Sequence, residues 1–338
     1  RFVDSLNSNV MLLLMFVSSL TMFMSGLIAN FEYDLKKIIA LSTLSQLGLM
    51  MSILSLGESM LAFFHLLMHA LFKALLFMCA GCIIHNLNDC QDIRYMGSLV
   101  NFLPLTSCFF NICNMALCGL PFLSGFYSKD LILEFMSMGY VNFYIYLIFY
   151  ISTGLTVMYT ARLIYYSMLG DFNNFSFFSI ADSGYFILKG MGGLIMMVIF
   201  GGSFISWLMF PTPYFICLPF MMKIMVLFVI LLGGYFGYIV SNIGFNDYSL
   251  SLNFYGFSYF SSSMWNLNYL STYGVNYYFL SFGGKLSETL DQGWSEYYGS
   301  QNLYFCMKSS SIFLQKIFNN NIKIFLTLLL IWICFMFL

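Results

Sequence analysis

Charge is scarce in this chain of 338 residues: 8% are Asp, Glu, Lys or Arg, against 60% hydrophobic and 20% aromatic, with a mean hydropathy of +0.84. Soluble domains carry about 25% charged residues, so this composition excludes them and indicates a polytopic membrane protein. Lys and Arg number 13 against 14 Asp and Glu, a net charge of −1. Nucleic acid is thereby excluded as a partner, and so is a polybasic tail for a membrane surface.

Paired cysteine is also missing. The nine Cys are scattered singly, an odd number with no repeated spacing, so no disulfide framework is indicated. The one close pair, "CAGC" at 79 to 82, lies in an apolar run with no second Cys pair or His to complete a metal site. There is no GxGxxG, no phosphate-cradling loop, no Ser and His pair for acyl transfer and no cysteine set for an iron-sulfur cluster. No metal and no electron carrier is therefore expected in this chain. It begins at Arg1 with "RFVDSLNSN", which lacks the form of a cleaved leader, and it reads as a fragment of a longer protein.

What is present is length without charge. A helix needs about 20 mostly apolar residues to cross a bilayer. Such stretches occur at about 10–29, 38–56, 60–84, 103–138, 143–168, 187–210, 219–240 and 322–338. The expected fold is an all-α bundle of about eight transmembrane helices. The fourth stretch is too long for one span and is interrupted by "CGLPFLSG" between 118 and 125, which predicts a broken helix. A proline kink with no role is the plainer alternative. Lys36, Lys37, Arg94 and Lys189 fall on one side and Arg1 and Lys223 on the other, which places the first set on the cytoplasm-like side.

The expected organisation is a transmembrane domain over 1–240, a loop and helix region over 241–321, and a terminal anchoring helix over 322–338. In "KLSETLDQGWSEYY", Leu286, Leu290, Trp294 and Tyr297 recur at helical spacing opposite Glu288, Asp291 and Ser295. That pattern predicts an amphipathic helix lying on the membrane surface or against partner subunits. An ordinary loop is the alternative.

Two histidines sit on the third stretch, at 65 and 69. His65, His69 and Lys73 follow at i, i+4 and i+8, one stripe reaching about 12 Å along a helix axis. A Lys at mid-membrane costs about 2.5–3.5 kcal/mol on insertion, so the stripe is expected to face a buried or hydrated interior. The competing account makes each His a hydrogen-bonded packing residue and lets Lys73 snorkel. A second group follows the break: Lys129, Asp130 and, one turn later, Glu134. At the start of a half-helix the dipole favours Asp130 and disfavours Lys129 as a cation. A static Lys129 and Asp130 ion pair pinning the break is the alternative to a relay. Ser42, Ser45, Gln46, Asn111, Asn114, Thr156, Tyr159 and Thr160 are candidates to hold water between the two groups. Arg162 is either a further cation in the path or an interfacial anchor.

The stretches "DLKKIIALSTLSQLGLMM" at 34–51, "FHLLMHALFKALLFMCAGCIIHNLNDCQDIRYMG" at 64–97 and "LCGLPFLSGFYSKD" at 117–130 closely resemble the antiporter-like, proton-pumping membrane subunits of respiratory complex I, NADH:ubiquinone oxidoreductase. "LDQGWSEYYGSQN" at 290–302 extends the resemblance more loosely. The resemblance implies a multi-pass protein of the mitochondrial inner membrane, translocating protons and using water, with the other membrane-arm subunits and the lipid bilayer as partners. NADH, FMN, iron-sulfur clusters and ubiquinone would be used by partner subunits. It implies a central proton relay at Lys73 with His65 and His69, and the end of a half-channel at Lys129 and Asp130; all five positions match. A cation/proton antiporter subunit and a structural membrane scaffold are the rival readings.

Overall fold

The computed structural model describes residues 3–139, 142–174, 180–182, 184–243, 254–319 and 321–337. Among them every named element is helical, and the only strand-like feature is one antiparallel bridge between Asp34 and Asp92. The chain divides into two compact units, Arg1–Trp265 and Asn266–Leu338.

The first unit is built from α1 (Ser8–Phe31), α2 (Leu35–Ser55), α3 (Ser59–Asn86), the single turn α4 (Leu99–Phe102), α5 (Pro104–Cys118), α6 (Ser124–Met138), α7 (Phe143–Ile164), α8 (Tyr185–Met209), α9 (Phe220–Asn242) and the short α10 (Tyr255–Ser262). Among the described residues six helices are long and apolar enough to cross a membrane: α1, α2, α3, α7 with its terminal π turn to Leu169, α8 and α9. The broken helix expected in the fourth stretch is present, and the number of full-length spans is lower than the expected eight or so. Stretch 103–138 is two helices of 15 residues each, and the terminal stretch forms a helix of only 15 residues, Ile322–Met336. Fifteen residues rise about 22 Å, short of the roughly 30 Å hydrocarbon thickness.

α3 is the centre of the unit, packing on α2, α5, α6 and α8. Its Phe64, Met68, Phe72, Leu75, Leu76 and Cys79 are buried in one apolar core with residues of α5 and α8. Apolar side chains gain nothing from leaving lipid for one another, so helix contact here depends on close fit, and small residues supply it. Gly233 and Gly237 on α9 meet the α7 backbone so closely that an added Cβ would lie 2.5 Å from the Gly154 carbonyl oxygen and 2.6 Å from that of Met158. The bridge at Asp34 and Asp92 is flanked by Leu35 N–H to Gln91 O at 2.9 Å and Ile93 N–H to Tyr33 O at 3.0 Å. It ties the α1–α2 and α3–α4 connections together at one end of the bundle, the end carrying Lys36, Lys37 and Arg94.

The break between α5 and α6 has a specific chemistry. Gly119 takes φ +83°, and its N–H and that of Leu120 close on the carbonyls of Ala116 and Met115, ending α5. The Leu117 carbonyl would next be bonded by the amide of residue 121, but that residue is proline and has no N–H. α6 then starts close by: a Cβ on Gly125 would sit 1.8 Å from the Ala116 carbonyl oxygen.

In the second unit α11 (Val275–Leu286), two π-helical runs (Ser287–Trp294 and Tyr297–Gln301) and α12 (Asn302–Phe318) follow one another, and α13 (Ile322–Met336) departs at 109°. The helical character of 285–298 is as the sequence pattern predicts, but the π turns shift its register. Leu286, Leu290, Trp294 and Tyr297 all remain 37% or more exposed.

Candidate functional site

Four of the ionisable groups named from the sequence are buried in the first unit: His65 at 1% exposure, His69 at 8%, Lys73 at 4% and Lys129 at 3%. Asp130 and Glu134 are only half-buried. His65, Lys73 and Lys129 meet hydroxyl, amide or carbonyl partners, and none of the four meets a carboxylate among the described residues. The described residues contain two ion pairs, Lys37 with Asp34 and Arg94 with Asp92, and neither involves the buried groups. The static Lys129 and Asp130 pair that sequence reasoning allowed is therefore not formed; neighbours on a helix point about 100° apart.

His65 bridges two helices, with Nδ1 3.0 Å from Ser128 Oγ on α6 and Nε2 3.2 Å from Gln46 Oε1 on α2. One turn along, the His69 ring lies 6.3 Å from the His65 ring and edge-on to Phe72 at 5.3 Å. The Lys73 ammonium donates to Ser42 Oγ and, at 3.4 Å, to the Ile39 carbonyl, both on α2. The stripe thus turns as it rises: its His65 end faces both α2 and the broken span, and its Lys73 end faces α2.

Lys129 corrects the dipole argument made from sequence. Although it belongs to the second turn of α6, its ammonium reaches back to the C-terminal end of α5 and donates to the Leu117 carbonyl at 3.5 Å. That is the oxygen left without an amide by Pro121. A cation at a helix C-terminus is favoured, so the two half-helices act on Lys129 in opposite senses. Its second acceptor is Thr156 Oγ1 on α7 at 2.9 Å. Nearby, Cys118 Sγ and Thr160 Oγ1 are 2.9 Å apart.

Of the other polar candidates, Ser42, Gln46 and Thr156 contact the ionisable groups directly. Asn111 Oδ1, Asn114 Nδ2 and His69 Nε2 are buried atoms with no protein partner among the described residues. Arg162 has a different task. It donates through Nη1 to Asn30 O at 2.5 Å and Ala29 O at 3.5 Å, the last carbonyls of α1, and lies 4.6 Å from the Tyr33 ring centroid. Arg94 covers the same ring at 4.3 Å. Arg162 is thus an anchor for the end of α1. Sequence reasoning missed Ser128; its place beside Lys129, one turn after Gly125, was the available signal.

At the opposite end of the bundle, Tyr214 in the α8–α9 connection donates to Glu58 Oε2 at 2.9 Å. Burial, and then that carboxylate, push the Tyr214 phenol up to about 12, so it remains a donor at neutral pH. Among the described residues no group of three or more His, Cys, Asp or Glu could hold a metal ion.

Residues 159–338 match the family model for the NADH dehydrogenase subunit 5 C-terminus, and residues 1–156 match the membrane region described as NADH:quinone oxidoreductase/Mrp antiporter. The chain belongs to the NADH dehydrogenase subunit 5 family. It is 55% identical to NADH-ubiquinone oxidoreductase chain 5 of Locusta migratoria over 96% of this chain and 57% of the relative. It is 56% identical to that of Aedes aegypti over 97% of this chain and 56% of the relative. The corresponding chain of Dugong dugon is 37% identical over 90% of this chain and 51% of the relative. This subunit 5 chain therefore spans somewhat more than half the length of the curated relatives it matches. Its fold is similar to a chain in the structure of the Mrp complex from Dietzia sp. DQ12-45-1b, with TM-score 0.52 and 18% identity over 70% of this chain and 50% of that one.

Proposed function

We propose that this chain is a proton-translocating part of a membrane-arm subunit of NADH:ubiquinone oxidoreductase in the mitochondrial inner membrane. Electron transfer takes place in other subunits; this chain supplies an ion path. The observation that carries the reading is that Lys73, His65, His69 and Lys129 are buried within one packed unit, with Lys73, His65 and Lys129 held by hydroxyls, an amide and carbonyls instead of counter-charges. A buried cation paired to a carboxylate is locked in place, whereas one held by neutral acceptors can give up its proton and leave no unpaired negative charge behind.

The half-buried Asp130 and Glu134 continue the relay beyond Lys129. A buried polar atom left dry costs about 1–3 kcal/mol, so Asn111, Asn114 and His69 favour internal water between the lysines. Charge on one group is felt by the next: at the 6.3 Å ring separation of His65 and His69, two unit charges repel by about 2.6 kcal/mol at an effective dielectric of 20. Protonation of one therefore biases its neighbour without a large motion. We further place the exposed apolar residues of 286–297 against other membrane-arm subunits.

The test is Lys73→Ala in the assembled complex. Assembly at wild-type level is expected, with NADH-driven proton pumping lost. Normal pumping stoichiometry in that enzyme removes Lys73 from the relay. Cation flux that proceeds without NADH would replace this reading with an antiporter.

A further inference from the structure

Both buried lysines are held by the same arrangement, assembled from different helices. On α2 the Ser42 hydroxyl gives its hydrogen to the Ile39 carbonyl at 2.7 Å and accepts the Lys73 ammonium; that same Ile39 carbonyl is the second acceptor for Lys73. On α7 the Thr156 hydroxyl gives its hydrogen to the Thr153 carbonyl at 2.7 Å and accepts Lys129, whose second acceptor is the Leu117 carbonyl. Each site is one hydroxyl plus one carbonyl. An ammonium has three N–H donors, so one N–H of each lysine is left without a protein acceptor among the described residues.

The fixed direction of the hydroxyls matters. A free hydroxyl rotates between donor and acceptor roles, but one whose only hydrogen is committed to its own helix can present only lone pairs to a neighbour. Many hydroxyls in this unit bond to the carbonyl three residues back, among them Ser45 and Thr160. Ser42 and Thr156 differ in facing an ammonium. Both are buried, at 2% and 3% exposure, so neither can be replaced at its lysine by bulk solvent.

We infer that Ser42 and Thr156 are positioning residues for Lys73 and Lys129: their pre-oriented lone pairs fix each ammonium so that its remaining N–H points along the path of proton transfer. The inference rests on the reading of both lysines as proton carriers. It assigns no bond-making role to the hydroxyls, which keep their own hydrogens throughout.

Shape and hydroxyl can be separated by substitution. Thr156→Val keeps the shape and removes the hydroxyl; Thr156→Ser keeps the hydroxyl and removes a methyl. The variants are compared in the whole complex in native membranes, with protons pumped per NADH and coupled turnover normalised to assembled complex, beside Lys129→Ala as reference. Coupled turnover in Thr156→Val is expected to fall about tenfold or more, the scale of a lost hydrogen bond to a charged group, with Thr156→Ser within about twofold of wild type. Ser42→Ala and Ser42→Thr give the same contrast independently. A normal Thr156→Val, or a Thr156→Ser as impaired as Thr156→Val, overturns the positioning role. Failure of both Thr156→Val and Ser42→Ala to assemble assigns the hydroxyls to helix packing and also overturns it. Normal pumping in Lys129→Ala instead overturns the relay reading itself, which keeps the two failures distinct.

Discussion

Gly125→Ala isolates the geometry of the helix break. The new methyl carbon would be placed 1.8 Å from the Ala116 carbonyl oxygen, with the Ala116 carbonyl carbon at 2.9 Å. Carbon and oxygen in contact sit at about 3.3–3.6 Å, so α6 must retreat from the end of α5 by roughly 1.5 Å. Lys129 stands one turn along α6, and its bonds to Leu117 O and Thr156 Oγ1 are already 3.5 and 2.9 Å; a shift of that size takes both past bonding distance. Forcing a methyl into a packed contact costs about 1–3 kcal/mol. Losing hydrogen bonds to an ammonium adds about 1.5–3 kcal/mol. Gly81→Ala is the control: it lies inside α3 with nothing within 4 Å of the added carbon, and Ala is preferred to Gly in a helix by about 1 kcal/mol. The assay is the thermal midpoint of inactivation of the assembled complex together with protons pumped per NADH. Gly81→Ala is expected to keep wild-type pumping with an inactivation midpoint no lower than wild type, and Gly125→Ala to lower both. Equal behaviour of the two variants would refute the argument that the close approach at Gly125 sets the position of Lys129.

Arg162→Met leaves the Ala29 and Asn30 carbonyls without their donor and should destabilise the complex by about 3 kcal/mol, read as a lowered inactivation midpoint, with Arg162→Lys recovering only part because an ammonium lacks the planar fork. Asp92 is held below the usual carboxylate range by its hydrogen bonds from the Arg94 side chain, so the stability it contributes is present above its unfolded value of about 4 and is lost as pH falls through the lower folded value. Asp92→Asn should therefore cost less than about 1 kcal/mol at neutral pH, and that cost should shrink as pH falls through the folded value; a loss that does not shrink in acid would point to a cause other than charge. Leu290→Asp puts a charge on a half-exposed apolar position of the second unit and should reduce the amount of assembled complex on native gels while leaving turnover per assembled complex unchanged.

The elements legible in the sequence are those decided by composition and spacing. Long, mostly apolar runs fix α1, α2, α3, α7, α8 and α9, and the i, i+4, i+8 spacing places His65, His69 and Lys73 on one stripe whatever surrounds it. Lys129 is located by the same reasoning, yet the dipole of α6 is only half of its environment, since the end of α5 acts on it in the opposite sense. The sequence carries the reason: Pro121 removes an amide four residues after Leu117, and a long side chain eight residues later supplies the missing donor. What it does not carry is which direction that side chain takes, because the choice between the start of α6 and the end of α5 depends on how closely the half-helices approach.

That approach depends on glycine. Gly119 allows α5 to end with a residue at positive φ, and Gly125 lets the next helix start against the carbonyl of Ala116. From the other side, a Cβ on Gly202 of α8 would come within 2.6 Å of the Ser124 backbone. The break is therefore held between two close contacts, and the buried Leu117 carbonyl, which has no backbone amide partner among the described residues, is held with it. A flexible break would solvate that carbonyl by moving; a fixed one presents it as a permanent acceptor. The Lys129 ammonium meets this demand with a charge-assisted hydrogen bond, whereas a neutral amine, which keeps two N–H donors, would meet it more weakly. The half-helix held by that bond, α6, also carries Ser128, the partner of His65. Lys129 and the partner of the imidazole at the other end of the stripe are thus carried on the same half-helix.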